Sequence, residues 1–324
     1  MTDSKQPLLQ VRNLVKHFPV GERKVVRAVD GVTFNLYPGE TLSIVGESGC
    51  GKSTLGRAVV RIHEPTAGEV LFEGQNILHL DLKRMRAMRS RMQFIFQDPY
   101  ASLDSRRNVG RTITEPLVIH RIGSKKDRQE KLNRLLDTVG LDREAAEKFP
   151  HEFSGGQRQR IGIARAIALE PDLIVADEPV SALDVSIQSQ ILNLLVSLRQ
   201  EFNLSYIFIS HDLAVVKHIS DRVAVMYLGR FVEKAHSEDL FSLPLHPYTK
   251  ALISAIPRIN SSLRSKRIIL AGDVPDPSAP PPGCPFHPRC PQAMPVCKEE
   301  APPLSERGDR TPRHQVWCHL HPPQ

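Results

Sequence analysis

Gly46-Glu47-Ser48-Gly49-Cys50-Gly51-Lys52-Ser53 follows the spacing G-x-x-x-x-G-K-[ST]. Glycines at these positions let consecutive backbone N–H groups turn inward around phosphate oxygens. Lys52 would reach the β- and γ-phosphates and Ser53 would ligate Mg²⁺, while Thr54 opens a helix whose N-terminal dipole favours an anion. The apolar run Thr41–Val45 predicts a buried strand before the loop, and Thr54–Val60 predicts a helix after it. That strand–loop–helix context separates the motif from a chance Gly-rich turn. Further on, Leu173-Ile174-Val175-Ala176-Asp177-Glu178 is a strand ending in two acids. Asp177 would hold Mg²⁺ through the metal's water shell, and Glu178 would accept a proton from an attacking water. An acidic pair after a strand is ambiguous by itself; downstream of a phosphate loop it predicts hydrolysis of a nucleotide.

Phe153-Ser154-Gly155-Gly156-Gln157 predicts a second anion site. Ser154 stands where a helix N-cap belongs, and the two glycines expose the N–H groups that open the helix running to Leu169. One phosphate-loop domain does not need two cradles for one nucleotide, so this one is expected to serve nucleotide held by another subunit.

The elements that must position these residues alternate in type. Residues 9–15 and Val25–Leu36 read as strands, and Gly68–Gly74 as a strand entered and left at glycine. Residues 104–150 carry helical periodicity, and the segment Arg128–Val139 stops on Gly140. From Ser154 onward helices and short apolar strands alternate through Tyr227, which predicts an α/β fold with a largely parallel sheet. No apolar run approaches bilayer length. The start Met1-Thr2-Asp3-Ser4-Lys5-Gln6-Pro7 lacks a signal-peptide pattern, so a reducing cytosolic setting is expected. Net charge is +7, with a basic run from Lys83 to Arg91. No aromatic residue interleaves with those charges, which reads as a solvated helix face; no nucleic-acid partner is expected.

With these motifs in order the chain resembles the ATP-binding cassette family, whose signature is usually written LSGGQ; here Phe153 replaces the leucine. Gln97, in Phe94-Ile95-Phe96-Gln97-Asp98-Pro99, matches the glutamine that senses Mg²⁺ and water. Ser181-Ala182-Leu183-Asp184 matches the segment that crosses the dimer interface, and His211 matches the switch histidine that contacts the γ-phosphate. Phe18 lies where the family stacks an aromatic on adenine, with Phe34 and Val25 as competitors for that role. The resemblance covers roughly residues 8–258. It implies a phosphate-loop NTPase cassette with a RecA-like parallel-sheet core, an antiparallel β subdomain and a helical subdomain at about 98–165. It also implies a domain over 1–258 and two ATP molecules sandwiched head-to-tail between two cassettes.

Composition changes near residue 258: 14 of the 26 prolines lie from Pro275 onward, with four of the five cysteines. A segment so rich in proline cannot be mainly helix or central strand, and 259–324 reads as an irregular extension. Cys284, Cys290, Cys297 and Cys318 follow C-x5-C-x6-C-x20-C. Four thiols in a reducing compartment favour a metal centre over disulfides, yet the spacing fits neither a paired zinc ribbon nor a common ferredoxin run. His287, His314 and His319 are substitute ligands, whereas Cys50 belongs to the phosphate loop. Leu245-His246-Pro247-Tyr248-Thr249-Lys250-Ala251-Leu252 followed by this segment resembles the dipeptide/oligopeptide permease ATPases. That resemblance implies a [4Fe–4S] cluster on the four cysteines, with Zn²⁺ as the alternative. It also implies a peripheral place at the cytoplasmic face of the inner membrane, a second, non-identical cassette, two membrane permease subunits, and a separate periplasmic peptide-binding protein. The groove near Gln97 would receive the coupling helices of the membrane subunits. The same chassis importing nickel or a glycoside, and a non-transport ATPase, are the competing readings.

Overall fold

The computed structural model describes residues 6–21, 24–256 and 268–323, which cluster into two compact units. The first comprises, of the described residues, 6–8, 36–40 and 79–209. Its sheet is the parallel set β6 (Met92–Ile95), β7 (Leu173–Asp177) and β8 (Ser205–Ser210), in which β7 pairs with both neighbours. β7 and β8 are buried at every position, as a parallel sheet requires when both faces are covered. Helices α2 (Leu82–Arg91), α3 (Val109–Ile119), α4 (Lys125–Val139), α5 (Gly155–Ile167) and α6 (Val185–Phe202) complete this unit. The solvated-face reading of the basic run holds, because Met85 is the one buried residue of α2.

Local chemistry sets the helix ends. Ser124 and Asp127 form a reciprocal capping box at the start of α4, and Gly140 at φ 70° stops it, as its position in the sequence predicts. α3, α4 and α5 pack on one another through Ile113, Leu117, Leu132, Leu136 and Ile161.

The second unit takes residues 9–35, 41–78 and everything described from 210 onward. Strands β1 (Leu9–Val20), β2 (Lys24–Leu36), β4 (Ala67–Phe72) and β5 (Gln75–Asn76) form a four-stranded sheet in the order β2-β1-β4-β5. β3 (Thr41–Val45) pairs in parallel with β9 (Arg222–Tyr227), and β9 pairs antiparallel with β10 (Arg230–His236). Helix α1 (Lys52–Val59) follows β3; α7 (Leu213–Ile219), α8 (Ser237–Ser242) and α9 (Pro247–Ser254) complete the unit.

The proline-rich extension departs from the expectation of irregular backbone in one place. β11 (Leu304–Arg307) and β12 (His314–Trp317) form a hairpin, and β12 lies between β11 and β10. Neither four-residue run contains proline, so each keeps the N–H groups that a ladder needs. Among the described residues, no helix is long and apolar enough to cross a membrane.

Candidate functional site

The phosphate loop lies between β3 and α1, in the second unit. Gly51 has φ 105°, and a Cβ there would lie 1.9 Å from the carbonyl oxygen of Ala28. At Gly46 a Cβ would meet Met226 O at 2.2 Å. Only glycine lets the loop close this tightly against its neighbours. The Lys52 side chain is buried and folds back over the loop, with Nζ donating to Gly46 O and Glu47 O at 2.9 Å each. Burial raises the Cys50 thiol above its ordinary range, and Lys52 nearby opposes that shift, so the cysteine stays a protonated filler of the loop. Ser53 and Thr54 open α1, and Ser48 and Gly49 form the turn at the loop tip. The Gly51→Ala variant is expected to bind ATP at least about tenfold more weakly, since strain of order 1–3 kcal/mol in the loop must be relieved by opening the cradle. Nucleotide titration of the purified variant measures this.

Two residues from beyond the loop hold it, Tyr248 and Arg289, with Phe286 packed on Tyr248, and the sequence reading missed all three as site residues. The Glu47 backbone N–H donates to Tyr248 Oη at 2.8 Å. The Glu47 carboxylate accepts two hydrogen bonds from Arg289, Nη1 at 2.6 Å and Nη2 at 3.0 Å. Phe286 is fully buried against Tyr227 and Tyr248, with ring centroids 5.3 Å apart in each pair. His246 turns the chain into α9: burial lowers it to about 4, so the neutral ring can accept the Tyr248 N–H at Nδ1, 3.1 Å away. The one available signal was the Leu245–Leu252 segment, which marks α9 but not where its tyrosine goes.

Phe18, near the end of β1, is half-buried; it meets His63 edge-on at 5.7 Å and carries Lys16 Nζ over its ring at 4.8 Å. Phe34 is excluded as the adenine-stacking residue, because it is buried against Phe231 in the sheet. Val25 is exposed and offers no ring. His211 is exposed in the turn between β8 and α7, next to Asp212, whose carboxylate caps α7.

The first unit assembles another group. Asp177 closes β7 with its side chain out of solvent, which is affordable for a carboxylate only beside compensating charge or hydrogen bonds. Glu178 follows at φ 45°, a left-handed conformation uncommon outside glycine, with its N–H held by Ile209 O at 3.0 Å. That turn directs its carboxylate to Gln97, whose Nε2 donates to Glu178 Oε2 at 2.9 Å. The structure thus joins two residues 81 positions apart that the sequence singled out separately.

In the same unit Ser154 caps α5 reciprocally with Gln157. Its hydroxyl accepts the Gln157 N–H at 3.4 Å, and its own N–H donates to Gln157 Oε1 at 3.0 Å. Ser154 and Gln157 are exposed, so the N-terminal turn of α5 faces outward as an anion-ready surface. Gly156 has no room for more: a Cβ there would lie 2.5 Å from Ile187 Cγ2. Gly155 similarly backs onto Leu183 of the segment that Asp184 ends, at the N-cap of α6.

The four C-terminal cysteines and Cys50 are all free thiols. Burial, with smaller contributions from Cys297, Cys318 and Cys290 nearby, pushes the Cys284 thiol up to about 11. Cys318 is raised by burial and then by Cys290 and Cys297, so the four sulfurs share one neighbourhood. Among the described residues no group of three or more His, Cys, Asp or Glu is placed to hold a metal ion. Each substitute histidine has one ring nitrogen in a hydrogen bond: His287 Nδ1 with Cys284 O at 2.9 Å, His314 Nε2 with Glu233 at 2.7 Å, and His319 Nε2 with Glu300 O at 3.0 Å.

A family model for the ABC transporter ATPase region matches residues 29–181, and one for the oligopeptide/dipeptide transporter C-terminal region matches 232–297. The chain is 52% identical to the oligopeptide transport ATP-binding protein AppF of Bacillus subtilis, over 98% of each chain. It is 52% identical to the dipeptide transport ATP-binding protein DppF of Haemophilus influenzae, over 94% of each. A solved dimeric ATP-binding cassette in a post-hydrolysis state, bound to ADP and Pi, superposes with a TM-score of 0.65 at 29% identity, covering 71% of this chain and 98% of that one.

Proposed function

The chain belongs to the ABC transporter ATPases that carry the oligopeptide/dipeptide C-terminal region, and from that premise we propose that it is the ATP-hydrolysing subunit of a peptide importer. Its place would be peripheral, at the cytoplasmic face of the membrane. The contact that supports the hydrolytic role best is Gln97 Nε2 on Glu178 Oε2. It puts a carboxylate that can take a proton beside a carboxamide that can orient water, and both sit on short turns after parallel strands.

The loop from Gly46 to Thr54 fits ATP, because Gly46 and Gly51 let its backbone close against Met226 and Ala28 and Lys52 folds back over it. Lys52 and the backbone N–H groups would bind the β- and γ-phosphates, and Phe18 would stack on adenine. Ser53, Asp177 and Gln97 would hold Mg²⁺, which bridges the phosphates and offsets charge as the γ-phosphoryl group leaves. Glu178 would draw the proton from the attacking water, and His211 would sense the γ-phosphate. Ser154, Gly155, Gly156 and Gln157 would clasp ATP bound to a second, paralogous cassette, with Asp184 at the crossing. The outward-facing turn of α5 supports that arrangement. Two membrane permease subunits would dock near Gln97, where exposed Tyr100 lies over the guanidinium of Arg158 at 3.6 Å. A periplasmic binding protein would deliver the peptide. Residues 1–258 would form the ATPase domain, with its helical subdomain at about 98–165, and 259–324 the extension.

For the cysteines we propose a [4Fe–4S] cluster in preference to Zn²⁺. A single tetrahedral zinc with Zn–S bonds of about 2.3 Å draws four sulfurs into tight mutual contact. What supports the cluster is the likeness of this four-cysteine segment to the peptide permease ATPases, since the spacing C-x5-C-x6-C-x20-C is not that of a paired zinc ribbon. Bound there, a cluster would supply a covalent cross-brace and a one-electron redox centre.

Anaerobic purification of the membrane-extracted complex tests both halves. Two membrane subunits and a second cassette are expected to co-purify, with about four irons per extension. Zinc in place of iron would overturn the cluster alone, while ribosomal proteins or DNA in place of membrane subunits would overturn the importer.

A further inference from the structure

We infer that Arg289 is a positioning residue for the phosphate loop, so that the cysteine-bearing segment sets how tightly this chain binds ATP. The inference rests on the reading of Gly46–Thr54 as the ATP cradle. Arg289 and Glu47 lie 242 positions apart, yet the guanidinium grips the carboxylate through two hydrogen bonds of 2.6 and 3.0 Å. The Arg289 side chain is 7% exposed and that of Glu47 is 29% exposed, so water competes weakly for either partner. Glu47 is further fixed through its N–H to Tyr248 Oη and through its carbonyl to Lys52 Nζ. One residue of the loop is therefore tied simultaneously to the phosphate-seeking lysine, to α9 and to the C-terminal extension.

The extension is shaped to hold that guanidinium still. Arg289 ends a 3-10 turn over His287–Arg289, with its N–H on Phe286 O at 3.0 Å. Phe286 is 1% exposed and wedges among Tyr227, Tyr248 and His246. Cys284 and Cys290 flank this five-residue stretch, and Cys284 N–H donates to Cys297 O at 2.9 Å. Whatever fixes the thiols thus fixes Arg289.

Two physical effects follow. The clamp removes freedom from a loop whose backbone N–H groups must converge on phosphate, so less ordering remains to be done on binding. It also neutralises a carboxylate that would otherwise face a polyanion at short range. Both act on nucleotide binding. Neither puts Arg289 in the chemical step.

The test uses the assembled transporter and a fluorescent ATP analogue titrated without Mg²⁺, together with KM and kcat for ATP. Arg289→Gln is expected to raise the dissociation constant and KM about tenfold, with kcat within about twofold of wild type. Arg289→Lys keeps the charge but loses the paired contact, and should fall between. Adding Glu47→Gln to Arg289→Gln is expected to recover part of the affinity, because the unpaired carboxylate is then gone while the ordering by the clamp stays lost. Lys52→Ala serves as the loop control and should abolish binding. Unchanged KM in Arg289→Gln alongside a dead Lys52→Ala would overturn the clamp and leave the ATP site intact. Weakened binding that Glu47→Gln does not recover even in part would also overturn it, reducing Arg289 to a packing role. Wild-type binding by Lys52→Ala would overturn the ATP-site reading itself.

Discussion

Glu178→Gln is expected to lower ATP turnover of the assembled complex about 10²–10⁴-fold while leaving ATP affinity close to wild type. The substitution preserves shape: glutamine at 178 keeps an oxygen that can accept from Gln97 Nε2, now at 2.9 Å from the carboxylate, and the backbone bond to Ile209 O is untouched. What is lost is the capacity to take a proton as water attacks the γ-phosphate. The residue sits in a left-handed conformation at φ 45°, which the rest of the turn sustains. A loop that keeps so particular a geometry positions the group for chemistry and not for binding, so the effect should fall on kcat. Single-turnover hydrolysis alongside equilibrium nucleotide titration separates the two. Turnover near wild type would remove Glu178 as the base.

Ser154→Arg is expected to cut hydrolysis by about 10²-fold or more, with nucleotide binding to this chain's own phosphate loop retained. Donors aimed at developing phosphate charge are each worth about 10²–10³ in rate when removed. Ser154 is exposed and holds the first turn of α5 through its reciprocal pair with Gln157. Arginine there forfeits the cap, at about 1 kcal/mol, and sets a long side chain over the Gly155 and Gly156 N–H groups that would close on the partner's nucleotide in the proposed dimer. Those glycines cannot retreat, since Gly156 already backs onto Ile187 with no space for a methyl group. ATPase assays of the complex, paired with nucleotide titration of the variant subunit, measure the split. Hydrolysis unaffected by the arginine would sink the trans-acting role of this turn.

Much of this was legible in the sequence because it is written locally. Gly140 ends α4 because glycine alone enters the left-handed region without strain, and the stop can be read from one residue. β7 and β8 announce themselves as apolar runs of four residues each, Leu173–Ala176 and Tyr206–Ile209, and the acid or hydroxyl that ends them marks the edge where the candidate residues follow. The capping box at Ser154 lies within four residues, so the signature turn could be anticipated. Each of these depends on neighbours in the chain, and chain neighbours are what a sequence displays.

Long-range contacts were not legible in that way. Nothing near Glu47 indicates Arg289, and nothing near Arg289 beyond its cysteines indicates a nucleotide. The pairing exists because the extension folds back onto the loop, burying Phe286 among Tyr227, Tyr248 and His246. Phe34 and Phe18 are alike as letters, and only packing against Phe231 takes Phe34 out of contention. The hairpin β11–β12 escaped a proline-based reading because neither of its two short strands contains proline, although the segment around them is rich in it. The sequence by itself determined the chemistry, its motifs and the ends of the elements that carry them, since spacing and capping act over a few residues. Only the tertiary structure decided which distant side chains brace the phosphate loop, which of the candidate aromatic rings remains half-exposed, and that Gln97 meets Glu178. Those outcomes depend on the path of the whole chain and the burial it achieves, and no local pattern encodes them.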